Sequence, residues 1–130
     1  MFSVISSAAT VIAISYLVLY AAWMIIGNLP RRDRATSHAL ADHTGVVLYW
    51  RPGCKYCMRL RTRLRFTRLW HAEVNIWQDP EAAAFVRSVA NGNETVPTVT
   101  VAGKTMVNPS KDQLLEAVKM EAPHLLPDAK

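Results

Sequence analysis

Charged side chains are absent from the first 29 residues of this chain, although the rest of its 130 residues include 15 Lys and Arg and 10 Asp and Glu. The stretch from Phe2 to Gly27 is apolar on every face of a helix, which excludes an ordinary surface helix. About 20 helical residues cross a hydrocarbon core of about 30 Å, so the stretch is long enough to span a membrane. A small domain has no core that could surround such a helix. We predict a transmembrane anchor over residues 1–28.

A cleaved signal peptide is the main alternative for this stretch. Such a peptide has basic residues before an apolar core of about 7 to 15 residues. Here no basic side chain precedes the apolar run, and the run is longer than that. The sequence therefore favours a retained span.

Positive charge is missing before the span and concentrated directly after it. Arg31, Arg32 and Arg34 follow the apolar run, while only the α-amino group precedes it. Because basic flanks stay on the cytoplasmic side, we predict a single-pass protein of the cell membrane with its C-terminal domain in the cytoplasm. Small residues spaced four apart within the span are compatible with a weak homodimer, although such spacings are frequent by chance.

Cysteine is scarce, since the chain contains only Cys54 and Cys57. Two cysteines exclude a disulfide-rich scaffold, and a cytoplasmic domain would not keep them as a structural disulfide. A zinc site needs four ligands, and the four histidines show no paired spacing that completes one. No metal site is predicted. CxxC after a predicted strand and at the start of a helix is instead typical of thiol-disulfide exchange.

Residues 29–44 lack a sustained apolar period, and we predict a flexible linker there. As a coil, this linker would separate its ends by on the order of 20 to 25 Å. From residue 45 to residue 130, short β-favouring runs alternate with helical ones, which predicts one α/β domain. The first of these runs, Val46–Trp50, is continuously apolar and suits a strand buried on both faces.

Turn and capping signals divide the rest of this domain. Asp79 is suited to N-cap a helix that begins at Pro80. Ser110 and Gln113 have the spacing of a capping box, and Gly103 suits the tight turn of a hairpin. The order is βαβαββα. The predicted elements are a strand at 46–50, a helix from 54 to about 69, a strand at 73–77, a helix at 80–90, a hairpin of strands at 98–101 and 104–107, and a helix from 110 that ends before Pro123.

The chemistry is expected at Cys54. A helix N-terminus presents free N–H groups and partial positive charge, which stabilise a thiolate over a thiol, and Lys55 and Arg51 add to that field. We therefore predict that Cys54 is the nucleophile. Cys57 lies one turn deeper, where it can attack a mixed disulfide on Cys54 and release the reduced product.

The Thr95-Val96-Pro97 segment precedes a predicted strand. Taken alone, an X-Pro at this position indicates an ordinary bend. With a CxxC in a βαβ context the interpretation changes. A cis Val96-Pro97 bond would leave the N–H and C=O of Val96 free to pair with a bound substrate chain.

Four segments of the chain together resemble a glutaredoxin, and most closely a mycoredoxin: YWRPGCKYC, DPEAAAFV, NETVPTV and NPSKDQL. The resemblance covers about residues 45–120 and leaves out the membrane span. It implies a thioredoxin-like fold with a four-stranded mixed sheet and three helices, a cis-proline at Pro97, and reduction of mixed disulfides between proteins and a low-molecular-weight thiol. Around the catalytic Cys54 and Cys57, the expected substrate-binding residues are Arg51, Lys55, Tyr56, Thr95, Val96, Pro97, Asn108 and Ser110.

The sequence departs from common glutaredoxins in two places. Lys55 stands where a proline is usual in CPYC sites, and Val107-Asn108-Pro109-Ser110 replaces the GG-x-D segment that holds the γ-glutamyl end of glutathione. The resemblance to mycoredoxins implies mycothiol as the co-substrate, a pseudodisaccharide thiol without the two carboxylates of glutathione. Glutathione is the less favoured alternative. No bound cofactor is expected, and a separate reductase would recycle the thiol.

Three other functions are compatible with the same CxxC. A thioredoxin-like dithiol reductase would use Cys57 to reduce protein disulfides. An iron-sulfur protein would use Cys54 from two chains together with outside thiols, as some glutaredoxins do. An oxidase or isomerase of secreted disulfides would place the domain outside the cytoplasm, against the arginines that follow the span.

Basic residues crowd the predicted helix after the CxxC. Solvated faces beside an apolar stripe are one interpretation, and contact with anionic headgroups near the span is another. Nucleic-acid binding is not predicted, since the domain has no matching basic groove or series of stacking aromatics. The residues concerned are Arg59, Arg61, Arg63, Arg65 and Arg68.

Overall fold

The computed structural model describes residues 2–29, 31 and 33–126. Arg32, one of the arginines used above for orientation, and residues 127–130 of the predicted domain lie outside the described residues. After the first helix, the order of elements is the predicted βαβαββα. The helices are α1 (Phe2–Gly27), α2 (Lys55–Leu64), α3 (Pro80–Val89) and α4 (Lys111–Glu121), with a 3-10 helix at Pro123–Leu125, and the strands are β1 (Val46–Trp50), β2 (Ala72–Asn75), β3 (Thr98–Val101) and β4 (Lys104–Val107).

The four strands form one mixed sheet in the order β2-β1-β3-β4. β1 runs parallel to β2 and antiparallel to β3, and β3 pairs with β4 in a hairpin. β1 is buried along its whole length because helices cover both faces of the sheet. Val47 and Tyr49 belong to the core with α3, whereas Val46 and Leu48 belong to the core with α2 and α4. The predicted mixed four-stranded sheet and the element order βαβαββα are confirmed.

Local signals account for the positions of α3, α4 and the hairpin. Asp79 caps α3 through its side chain. Ser110 and Gln113 form the predicted capping box at the start of α4. Gly103 has a φ of 88° in the hairpin turn, a conformation that glycine adopts without steric cost. These elements lie within one residue of their predicted bounds because a capping or turn residue next to each boundary determines where the element starts or ends.

Ser110→Ala is expected to lower the free energy of unfolding by about 1 kcal/mol, because it removes the acceptor for the Gln113 N–H and leaves α4 uncapped. Ser88→Ala, at an exposed position of α3, is the matched control and should change stability by less than about 0.5 kcal/mol. Denaturant unfolding of the detergent-solubilised chain, followed by circular dichroism, measures both. Equal effects of the two substitutions would contradict the capping role.

The helix after the CxxC ends earlier than predicted. α2 stops at Leu64 and not near Leu69, because the chain turns sharply toward β2. The hydroxyl of Thr67 accepts the N–H of Leu69 at 3.3 Å, and Arg68 has a φ of 59°. A side chain at positive φ does not continue a right-handed helix. β2 correspondingly begins one residue and ends two residues before its predicted bounds.

The described part of the predicted linker is packed against the domain. Ala35 forms a parallel β-bridge with Glu73. His38 stacks on Phe85 with ring centroids 5.0 Å apart, and its Nδ1 lies 2.7 Å from the hydroxyl of Tyr49. These residues therefore do not form the predicted free coil, because they find partners on β1, β2 and α3 that no local pattern reveals. The division into anchor, linker and domain stays a prediction.

Within the described ranges, α1 is the one helix long and apolar enough to cross a membrane, over Ser6–Gly27. Its C-terminal end contacts α2. The Met58 side chain lies so close to Gly27 that a Cβ there would be 3.1 Å from Met58 Cε. The candidate anchor thus meets the helix whose first turn carries the CxxC.

Candidate active site

Cys54 is the N-cap of α2, directly after β1 and a turn at Pro52 and Gly53. Its backbone is extended, with φ −86° and ψ 113°. Its Sγ accepts the N–H of Cys57 at 3.2 Å and lies 3.5 Å from the carbonyl oxygen of Val96, to which the thiol donates. The sulfur of Cys54 therefore lies at the positive end of the α2 dipole.

Cys57 lies one helical turn further along α2 and is fully buried, with 0% of its surface exposed. Burial and the hydrogen bond with Cys54 raise the pKa of the Cys57 thiol above its ordinary range. Cys57 therefore keeps its proton at neutral pH. The two sulfurs are chemically inequivalent although only two residues separate them.

An open cavity of about 450 Å³ lies over Cys54. The Val96-Pro97 bond is cis, as predicted, and Val96 lines the cavity while Pro97 does not. Glu94 lines it without having been predicted. Of the predicted site residues, the structure brings together around this cavity Arg51, Cys54, Lys55, Tyr56, Thr95, Val96 and Asn108.

A second pocket of about 230 Å³ adjoins the first, because Tyr56 and Asn108 line both. Ser110 lines this second pocket, together with Arg59 and Arg63. Asn108 has a φ of 52°, a left-handed conformation that Asn adopts more readily than most residues. We call the two pockets together the groove. It leads from Cys54 past amide, hydroxyl and guanidinium groups.

Sequence comparison identifies the family. A family model described as Glutaredoxin matches residues 46–106. A Mycobacterium tuberculosis protein that bears the name "putative glutaredoxin" is 46% identical over 70 residues, which cover 53% of this chain and 83% of that protein. This chain belongs to the glutaredoxin family. Another relative of this glutaredoxin is the Gene 56 protein of Mycobacterium phage L5, 32% identical over 82 residues that cover 63% of the chain and 80% of the phage protein.

Solved structures include a similar glutaredoxin, the reduced form of glutaredoxin C1 from Populus tremula x tremuloides. It is 23% identical, with a TM-score of 0.48, and the match covers 84% of this chain and 86% of the poplar protein. As a glutaredoxin, the chain is a thiol-disulfide oxidoreductase. Glutaredoxins use glutathione-like thiols as co-substrates and act on thiol-linked protein substrates.

The glutaredoxin domain contacts the end of α1 through Asn28, which no sequence pattern singles out. Oδ1 of Asn28 accepts the N–H of Gly53 at 2.5 Å. Its Nδ2 donates to the Met24 carbonyl at 2.6 Å and lies 3.4 Å from the Met58 sulfur. Asn28 thereby connects α1 to the turn that precedes Cys54. The available signal in the sequence is a lone amide side chain directly after an apolar span.

Arg61 is buried in the glutaredoxin domain, with 5% of its surface exposed. Its guanidinium donates to the Glu73 carboxylate at 3.1 and 3.2 Å, to the Leu29 carbonyl at 2.8 Å and to the Gly27 carbonyl. It also lies 3.9 Å from the ring centroid of Trp50. The interpretation of a solvated face is therefore wrong for Arg61, because Glu73 and the end of α1 replace its water. The exposed arginines of this segment are Arg59, Arg63, Arg65 and Arg68.

Glu73 is the acidic centre of this interaction. Burial opposes its ionisation, but hydrogen bonds from His71 and Arg61 outweigh burial and lower the pKa of Glu73 to about 2. Nδ1 of His71 lies 2.8 Å from the Arg34 guanidinium, which can only donate, so Nε2 carries the proton and donates to Glu73 at 3.0 Å. We call Arg61, Glu73 and His71 the buried network. It joins α2, β2 and the end of α1.

Proposed function

We propose that this glutaredoxin reduces mixed disulfides between proteins and mycothiol, with Cys54 as the nucleophile. The observation that carries the proposal is the inequivalence of the two sulfurs. Cys54 is also buried, with 5% of its surface exposed, but it lines the groove at the start of α2, whereas Cys57 has no exposed surface and its pKa is raised. Because a thiolate and not a thiol attacks a disulfide, Cys54 takes the first step and Cys57 is not needed for it.

The reaction consists of two thiol-disulfide exchanges. The Cys54 thiolate attacks the mycothiol sulfur of the mixed disulfide, a Cys54-mycothiol disulfide forms, and the target cysteine leaves with the electron pair and takes a proton from solvent. A second mycothiol thiolate then attacks the mycothiol sulfur on Cys54. This step regenerates the Cys54 thiolate and releases mycothiol disulfide, which a separate reductase reduces.

The groove supports mycothiol as the thiol. Asn108 offers an amide and Ser110 a hydroxyl, both able to bond the hydroxyls of a pseudodisaccharide. Tyr56 continues the same wall toward Cys54. The main chain of Val96, beside the Cys54 sulfur, is suited to pair with the substrate backbone. These contacts need no carboxylate on the thiol.

Glutathione is a second candidate, because the groove is also basic. Lys55, Arg59 and Arg63 line it, and guanidinium groups bind carboxylates more strongly than they bind hydroxyls. Mycothiol lacks the two carboxylates that glutathione would present to these cations. The two thiols therefore have to be compared on the same chain.

The test uses one peptide carrying either a mycothiol-mixed or a glutathione-mixed disulfide, each with its own recycling reductase, and the full chain in detergent. We expect kcat/KM for the mycothiol substrate to be at least about tenfold higher, which corresponds to about 1.4 kcal/mol. Activity with glutathione alone would overturn the assignment to mycothiol and leave the glutaredoxin chemistry intact. Activity with neither substrate would contradict mixed-disulfide reduction itself.

Asn108→Gly is expected to raise KM for the mycothiol substrate roughly threefold to tenfold with little change in kcat, since it removes one or two hydrogen bonds from the groove. Glycine accepts the φ of 52° at this position, so the backbone is not strained. Asn91→Gly is the matched control, because Asn91 has a φ of 56°, follows the end of α3 and is not among the residues that line the groove. An unchanged KM in Asn108→Gly would contradict the proposal that Asn108 binds mycothiol.

We further propose that α1 anchors the chain in the cell membrane and that residues 45–130 act in the cytoplasm, on oxidised membrane proteins. The length and apolar character of α1 and the basic Arg31 and Arg34 after it support this orientation. A C-terminal reporter that works on one side of the membrane tests it. Reporter activity outside the cell would contradict the cytoplasmic assignment. A weak homodimer through α1 stays part of the proposal and can be tested by crosslinking in vesicles.

A further inference from the structure

A narrow crevice separates the C-terminal end of α1 from α2. Its volume is about 60 Å³. Trp23 and Ile26 of the apolar span line one part of it, and three cationic side chains line another. These cations belong to Arg31, Arg61 and Arg65. The crevice thus combines apolar side chains from the C-terminal end of the span with cationic side chains from α2 and from the residues that follow each helix.

The cations of this crevice exceed the available carboxylates. Arg61 is neutralised by Glu73. In the part of the chain that the structure describes, neither Arg31 nor Arg65 forms an ion pair. Nη1 of Arg31 is buried and has no hydrogen-bond acceptor among those residues. A buried cationic N–H without an acceptor is costly, so this position favours an anionic ligand.

We propose that the crevice binds the phosphate of an anionic phospholipid headgroup, an inference that rests on α1 spanning a membrane. Arg31 and Arg65 line the crevice, where their guanidinium groups can donate hydrogen bonds to phosphate oxygens, and the Thr62 hydroxyl is a further donor. About 10 to 15 Å³ of such space holds one water molecule, so this crevice holds a phosphate-sized group but not a whole headgroup. The acyl chains lie along Trp23 and Ile26, which are 38% and 51% exposed.

The position of the crevice favours a lipid over a soluble phosphate. Gly27 lines it and is the last residue of α1, so the cations lie at the boundary between hydrocarbon and headgroups. Phe66, directly after Arg65, is 84% exposed and adds an apolar side chain of the kind that enters this boundary. A lipid bound here would hold α1 against α2 close to the Asn28–Gly53 hydrogen bond, and so hold Cys54 near the membrane surface.

The test reconstitutes the full chain in phosphatidylcholine vesicles that contain a small fraction of spin-labelled phosphatidylglycerol or spin-labelled phosphatidylcholine. Electron spin resonance measures the fraction of each labelled lipid that the chain immobilises. We expect at least about a fivefold preference for phosphatidylglycerol, the factor that one basic residue contributes near an anionic surface. Arg31→Gln combined with Arg65→Gln should remove the preference.

Arg59→Gln combined with Arg63→Gln is the matched control. It changes the net charge equally, on a side of the helix about 120° to 160° away from Arg61 and Arg65, and should keep the lipid preference. Circular dichroism of both double variants confirms that they fold. If both double variants lose the preference for phosphatidylglycerol equally, the proposed site is wrong and the preference comes from general charge attraction. Loss of the preference on adding inorganic phosphate would overturn the lipid as its ligand.

Insertion is measured separately by alkaline extraction of the vesicles. Retention of the chain without lipid preference would contradict the lipid site alone. Release of the chain from the vesicles would contradict the anchor as well as the lipid site. The two proposals can therefore fail independently of each other.

Discussion

Cys54→Ser is expected to lose at least about 10³-fold in kcat/KM on a mycothiol-mixed disulfide, because a serine hydroxyl supplies no thiolate-like nucleophile at neutral pH. Cys57→Ser is the matched control, with the same change of sulfur to oxygen one turn further along α2. It should keep kcat/KM within about threefold of the unmodified chain, because the second mycothiol and not Cys57 clears Cys54. Steady-state assays with the recycling reductase measure both variants.

The opposite pattern would contradict the proposed route. If Cys57→Ser is folded and inactive on the mixed disulfide, the enzyme works by the dithiol route that the CxxC also allows. If Cys54→Ser keeps its activity, the assignment of the nucleophile is wrong. Circular dichroism separates both outcomes from loss of folding, which is relevant because Cys57 is fully buried.

Glu73→Gln is expected to lower the free energy of unfolding by about 3 to 5 kcal/mol, because it leaves the buried Arg61 guanidinium without a counterion. Arg61 also holds the Gly27 and Leu29 carbonyls, so the loss should loosen the contact between α1 and α2. Glu116→Gln makes the same chemical change at an exposed position of α4 and should alter stability by less than about 0.5 kcal/mol. Denaturant unfolding in detergent compares the two.

The buried network also sets the direction of the pH dependence. The folded pKa of Glu73, about 2, is below its ordinary value of 4.5. The contribution of ionised Glu73 to the free energy of unfolding is therefore complete above about pH 4.5 and is lost as the pH falls toward 2. The lowering of its pKa corresponds to about 3 kcal/mol. The stability gap between the unmodified chain and Glu73→Gln should narrow when the pH is lowered from about 7 to about 3. A gap that stays constant would show that ionised Glu73 is not what the variant removes.

The features that could be predicted from the sequence depend on local signals. Cys54 at the start of α2 follows from a buried strand, a Pro-Gly turn and the CxxC spacing. The capping side chains Asp79 and Ser110 locate α3 and α4 because each completes its own helix end. The pairing register of β3 with β4 follows from the two-residue turn that joins them.

The features that escaped prediction depend on partners distant in the sequence. Arg61 belongs by pattern to a solvated series of arginines, and only the position of Glu73 and of the end of α1 explains why it is buried. His38 similarly lies in the predicted linker but contacts Tyr49 and Phe85 of the domain. Asn28 reaches Gly53 only because α1 packs against α2. In each case a polar side chain is satisfied by a tertiary contact that has no local signature.

The most direct test of the proposed chemistry is the intact mass of Cys57→Ser after reaction with a mycothiol-labelled peptide in the absence of free mycothiol. Cys54 is the only sulfhydryl left in this variant. We predict that the chain gains the mass of one mycothiol and that the peptide is released as a free thiol. A gain of the peptide mass, or no gain at all, would contradict transfer of the small thiol to Cys54.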